Sequence, residues 1–72
     1  MVHPATMDEA EVLRAELDVL RGLHRALDEE ILALEERPAR DMLLIRRKKK
    51  EKLVLRDRIR LLEDRLLPDI IA

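Results

Sequence analysis

The chain has 72 residues, of which 47% are apolar and 43% are charged, and it contains no cysteine, serine, phenylalanine, tyrosine or tryptophan. A chain this short usually needs a disulfide, a metal ion or self-association to offset the entropy of ordering. Without cysteine there is no disulfide, and His3 and His24 lack the close spacing of a structural metal site. The composition therefore predicts one self-associating helical domain without cofactor, metal or catalytic residue, not an enzyme.

Charge is divided unequally along the chain. Residues 1–36 hold ten acidic and three basic residues, whereas residues 37–72 hold six acidic and twelve basic ones. Two segments of opposite charge can indicate that the basic one binds nucleic acid beside an acidic segment. Two helices of opposite charge can equally neutralise each other when they pack together. Because the chain contains neither a membrane-length apolar run nor a secretory signal, we expect a cytoplasmic protein that does not contact membranes.

Helix-start and helix-stop signals divide the chain into two helices. Thr6 and Glu9 match a capping box, which predicts a first helix over residues 6–36. Pro38 disfavours helical geometry at Arg37, so a turn is expected at 37–40 and a second helix over 41–67, before Pro68. The apolar tail within residues 68–72 could bind a partner or fold against the open end of its own bundle.

Apolar spacing is the strongest signal in the sequence. Core positions separated alternately by three and four residues, as in a coiled coil, occur in both segments. In the first segment they are Leu13, Leu17, Leu20, His24, Leu27, Ile31 and Leu34. In the second, taken in reverse order so that each residue faces its partner, they are Leu66, Leu62, Ile59, Leu55, Lys52, Lys48 and Ile45. These seven layers predict an all-α fold, an antiparallel coiled-coil hairpin that associates into a helical bundle.

One alternative to this hairpin arises at the turn. Two continuous helices from different chains would form the same layers, although Pro38 argues against an unbroken helix. We favour the intramolecular hairpin.

The same register predicts charge pairs on either side of the core. We expect these pairs to select the register more than they stabilise the fold. The predicted pairs are Asp28 with Lys49, Arg14 with Glu63, and Glu16 with Arg65.

A second group of apolar residues is left over when the core is assigned. Its members fall on one side of the predicted hairpin: Val12, Val19, Leu23, Ala26, Ala33, Leu44, Val54 and Leu61. We call this group the second strip. Such a surface would be costly to leave in water, so it predicts a homodimer, in which two hairpins form a four-helix bundle, or a tetramer. The indicated function is a small interaction module, with an unknown protein as a possible further partner.

A basic segment offers the alternative function of binding nucleic acid or another polyanion. Its candidate contacts are Arg46, Arg47, Lys49 and Lys50. Helical geometry spreads these cations around more than one turn, and no aromatic side chain is present to stack on bases, so we do not favour a nucleic-acid partner. The stems of Lys48 and Lys52 can cover Leu27 and Ile31 while their ammonium groups either reach water or pair with Asp28 and Glu30.

Two single residues also admit alternatives. His24 in the core could act as a pH-sensitive element, but a lone polar core residue more commonly fixes the register of a coiled coil. Gly22 could mark a bend or a close contact, although we favour a tolerated surface glycine.

Two motifs resemble a known family. They are His24-x-x-Leu27-Asp28-x-x-Ile31 and Lys49-Lys50-Glu51-Lys52-Leu53-x-Leu55-Arg56-Asp57-x-Ile59. Over residues 17–62 the chain resembles the YdcH-like family of small bacterial proteins, which has no established biochemical function. The resemblance implies a bacterial, cytoplasmic helical hairpin and adds no catalytic residue. Lys48 departs from the family pattern, which usually has an apolar residue there.

Overall fold

Two helices joined by a short turn make up the fold, in a computed structural model that describes residues 7–66. Helix α1 spans Met7–Glu35 and helix α2 spans Met42–Leu66. The sequence predicts helices over 6–36 and 41–67, close to these bounds. The predicted capping residue Thr6 and the tail at 68–72 lie outside the described residues. The helices pack along their length in a body of 49 × 22 × 17 Å. The predicted all-α hairpin is confirmed.

The turn reverses the chain without a left-handed residue. Glu36 donates its backbone N–H to the carbonyl of Leu32 (3.1 Å), and Arg37 donates to Leu34 (3.4 Å), so α1 closes with a tighter last turn. No residue of the described range 7–66 has a positive φ angle. Because Pro38 disfavours helical geometry in the residue before it, α1 cannot continue through Arg37.

Asp41 caps the start of α2. Its carboxylate accepts the backbone N–H of Leu44 at 3.0 Å, and its carbonyl accepts that of Ile45 at 3.0 Å. This is the geometry of a helix N-cap, and the negative charge also complements the helix dipole. The sequence predicts a helix start at this residue, and the structure adds its role as the cap.

Replacing Asp41 by alanine should lower the free energy of unfolding by about 1 kcal/mol, because the backbone N–H of Leu44 loses the carboxylate that accepts it. Urea denaturation followed by circular dichroism measures this loss. Asp41→Asn keeps an accepting oxygen and should retain most of the stability. Equal losses in the two variants would contradict the capping role.

The predicted layers form the core. All fourteen core positions are buried or half-buried, and the most buried side chains are Ile31 and Ile45, each 2% exposed. One apolar cluster lies at the open end of the hairpin and contains Leu13, Leu17, Leu20 and Leu62. The other lies beside the turn and contains Leu27, Ile31, Leu34 and Ile45. Leu55 contacts both clusters, so the core is continuous along the hairpin.

Gly22 lies on the exposed surface of α1. A Cβ atom at this position would meet no atom within 4 Å, so no close contact within residues 7–66 requires glycine.

Candidate interaction surfaces

Two lysines occupy core positions of α2 near the turn-side cluster. The Nζ atom of Lys52 lies 2.6 Å from Oδ1 of Asp28, and Nζ of Lys48 lies 2.6 Å from Oε1 of Glu30. Their side chains are only 31% and 22% exposed, whereas the two carboxylates are about half exposed. The lysine stems therefore fill the core while their charges reach its edge, and of the two arrangements considered from the sequence the ammonium groups adopt the paired one.

These contacts shift the titration of one group in each pair. The hydrogen bond from Lys52, followed by the attraction of its charge, lowers the pKa of Asp28, and His24 lowers it further. The hydrogen bond to Glu30 raises the pKa of Lys48 against the opposing effect of desolvation. These contacts therefore favour the charged forms of Asp28 and Lys48.

The hairpin should lose stability at both ends of the pH scale. A carboxyl with a depressed pKa contributes stability above its unfolded pKa of 3.8, and this contribution is lost as the pH falls through the folded pKa. A lysine with a raised pKa contributes below 10.5, and its contribution is lost as the pH rises through the folded pKa. Melting temperatures measured across the pH range should therefore fall below about pH 4 and above about pH 10.

Asp28→Asn provides the control for this pH dependence. The variant should show a weaker fall in melting temperature at acidic pH and an unchanged fall at alkaline pH, because Lys48 and Glu30 remain. An acidic limb identical to that of the natural chain would show that the Asp28–Lys52 contact does not matter to stability.

His24 is half-buried at its predicted core position. Within residues 7–66 no group of three or more His, Asp or Glu side chains is arranged to hold a metal ion.

Ion pairs join the two helices on both sides of the core. On one side, ion pairs join Glu16 to Arg58 (3.2 Å) and Glu9 to Arg65 (4.0 Å). On the other side, ion pairs join Arg21 to Glu63 (2.8 Å) and Glu35 to Lys49 (3.0 Å). These ion pairs show which faces of α1 and α2 lie next to each other on each side of the core. Residues seven positions apart lie on the same face of a helix, and we call each such series a row. Each ion pair therefore identifies one row of α1 and the row of α2 beside it.

The three charge pairs predicted from the register are wrong in their partners. Glu63 pairs with Arg21 instead of Arg14, and Glu16 with Arg58 instead of Arg65. In both cases the observed partner lies seven residues from the predicted one, on the same helix face. Asp28 likewise pairs with Lys52, not Lys49. A flanking side chain lies between two possible partners two turns apart, and core spacing does not choose between them.

The second strip lies on the side of the Glu16–Arg58 pair. Leu23 is seven residues from Glu16, in the same row, and Val12, Val19, Ala26 and Ala33 form the next row outward on α1. Val54 and Leu61 form the matching outer row of α2. Val19 and Leu61 are 61% and 64% exposed, and Val12, Leu23, Ala26 and Val54 are also exposed. Leu44 differs from the others because it is half-buried and packs against the turn-side cluster.

The opposite side of the hairpin is charged. Apart from Met42 at the start of α2, the rows beside the core consist of Arg14, Arg21, Asp28, Glu35, Lys49, Arg56 and Glu63. The next rows outward carry one exposed leucine on each helix, Leu32 and Leu53, among charged residues. An apolar surface that runs along both helices is therefore present on one side of the hairpin and absent from the other within the described residues.

A second surface lies on the outer face of α2. Leu43 and Leu53 are exposed there and line a shallow groove with Arg46, Arg47, Lys49 and Lys50. Lys49 pairs with Glu35, whereas Arg46, Arg47 and Lys50 form no ion pair with any residue in the range 7–66. We call this surface the basic groove. The sequence indicated its cations but not the two exposed leucines beside them.

The family model described as "Protein of unknown function (DUF465)" matches residues 17–63. The chain belongs to the DUF465 family. The match agrees with the YdcH-like resemblance and spans the turn, the two core lysines and most of both apolar clusters of this DUF465 protein. No curated protein and no solved structure matches the chain. Neither described helix has a stretch apolar and long enough to cross a membrane.

Proposed function

We propose that the protein is a small non-enzymatic interaction module that assembles with copies of itself through the second strip. The observation that carries this proposal is the asymmetry of the hairpin. Ion pairs flank the core on both sides, but within the described residues a continuous row of exposed apolar side chains follows both helices only on the side of the second strip. We further propose that this module acts in the bacterial cytoplasm, and the YdcH-like resemblance supports this.

Exposure alone does not select the second strip, because Leu32, Met42, Leu43 and Leu53 are exposed elsewhere. The strip differs from these residues in its continuity across two helices. Burying it against a second hairpin would remove apolar surface from water over several turns, at roughly 25 cal/mol for each Å². The core formed by residues 7–66 consists of two small clusters, so association would add the stability that a domain of this size otherwise lacks.

A pair of charged substitutions tests this assignment. Val19→Glu combined with Leu61→Glu should reduce the native mass, measured by light scattering, to that of one chain. The matched control is Leu32→Glu combined with Leu53→Glu, since these residues are 53% and 50% exposed but lie off the strip. The control should keep the native mass of the natural chain. If the strip variant remains assembled, the interface lies elsewhere.

Polyanion binding is the second candidate function, supported by the three cations of the basic groove that lack an ion pair within residues 7–66. Its test is the salt-dependent binding of a short fluorescent nucleic acid. Arg46→Ala with Lys50→Ala should weaken such binding at least several-fold, whereas Arg25→Ala with Arg60→Ala removes equal charge from other exposed positions. Equal affinities of the two variants would rule out the groove as the binding site.

A further inference from the structure

We propose that two hairpins pair about a twofold axis parallel to their helices, so that α1 of each copy packs against α2 of the other. This inference rests on the proposed self-association and specifies its partner surface. The occupant of the second strip is the same strip of a second copy, turned so that unlike helices meet.

The charges of the helices support this arrangement. Helix α1 carries nine acidic and three basic residues, whereas α2 carries four acidic and ten basic residues. An axis parallel to the helices places each acidic helix between two basic ones. A perpendicular axis within the interface would instead stack α1 on α1 and α2 on α2, and like charges would then repel along the whole contact.

The positions of the apolar residues support the same axis. A twofold axis parallel to the helices leaves heights along the bundle unchanged, so residues level with each other within one hairpin are also level between hairpins. Val19 and Leu61 are level because they neighbour facing layers of the core, Leu20 with Ile59 and Leu17 with Leu62. Val19 would therefore contact Leu61 of the second copy.

A second apolar contact follows at the next level of the bundle. Val54 precedes Leu55, which faces His24, so Val54 lies level with the stretch between Leu23 and Ala26 of α1. Those residues would pack against Val54 of the second copy. The proposed pairing therefore brings apolar residues together on both helices without a shift in register.

Disulfide trapping tests this arrangement, since the chain has no cysteine of its own. Val19→Cys and Leu61→Cys are prepared as separate single variants, mixed, allowed to exchange and oxidised. About half of randomly exchanged dimers contain one chain of each kind, and these should become cross-linked. Each variant alone should not cross-link, because identical residues lie on diagonal helices, beyond the roughly 7 Å between Cα atoms that a disulfide spans.

Native mass separates failure of this inference from failure of the proposed function. A monomeric natural chain would overturn both. An assembled chain whose mixed variants do not cross-link, or in which either variant alone cross-links as well as the mixture, would overturn only the arrangement of the helices. Ala26→Cys with Val54→Cys provides a second pair if a first variant fails to fold. Leu32→Cys with Leu53→Cys, off the strip, should give no cross-link.

Discussion

Replacing Ile45 by alanine should unfold a large part of the protein population under conditions where the natural chain is folded. Ile45 is 2% exposed and belongs to the cluster that joins the two helices beside the turn. Truncating such a residue costs about 2–5 kcal/mol, and a single core in a chain of this size supplies roughly 3–5 kcal/mol. Alanine has a higher helix propensity than isoleucine, so the loss comes from packing.

The matched control for Ile45→Ala is Leu43→Ala, less than one turn away. Leu43 is 67% exposed and lies off the second strip, so its truncation should change the free energy of unfolding by less than about 0.5 kcal/mol. Urea denaturation followed by circular dichroism compares the two variants. Similar losses would contradict the assignment of Ile45 to the core.

Replacing Lys52 by leucine should stabilise the protein by about 1 kcal/mol, because an apolar side chain would add to the burial facing Leu27. The side chain of Lys52 is only 31% exposed, so an apolar side chain at this position would be largely buried. Its partner Asp28 is half exposed and can be hydrated when the pair is lost, and partly exposed ion pairs contribute little to stability. We expect a higher urea midpoint for this variant.

Lys50→Leu is the control for the Lys52 variant, because it makes the same change at an exposed position of the same helix. Its urea midpoint should stay close to that of the natural chain. Destabilisation by Lys52→Leu would show that the Asp28–Lys52 pair contributes more than the burial that replaces it. Stability would then require lysine at position 52. If Lys52→Leu is instead more stable, as we expect, the role left for Lys52 is to fix the register of the helices.

Core spacing allowed the hairpin to be predicted because every layer constrains the same register. Leu13 and Leu34 lie at opposite ends of α1, and both are buried as expected, so an error in the turn would have displaced them from their partners. The same register predicted that Lys48 and Lys52 occupy core positions. It also brought the carboxylates of Asp28 and Glu30 within reach of their ammonium groups.

Other features depend on details that spacing does not contain. The choice between Arg14 and Arg21 for Glu63 depends on side-chain reach, which is similar for residues two turns apart on one face. Asp41 had a detectable signal, an aspartate directly before an apolar helical segment, but the prediction took it as the first helical residue and so missed its role as the cap. The basic groove was missed as a surface because Leu43 and Leu53 belong to neither predicted apolar stripe.

Native mass is the measurement that tests self-association through the second strip most directly. Size exclusion with light scattering gives this mass, and refractive index must supply the concentration because the chain lacks tryptophan and tyrosine. We expect a mass at least twice the 8.5 kDa of one chain. A folded species that keeps the mass of one chain as the concentration is raised would contradict self-association.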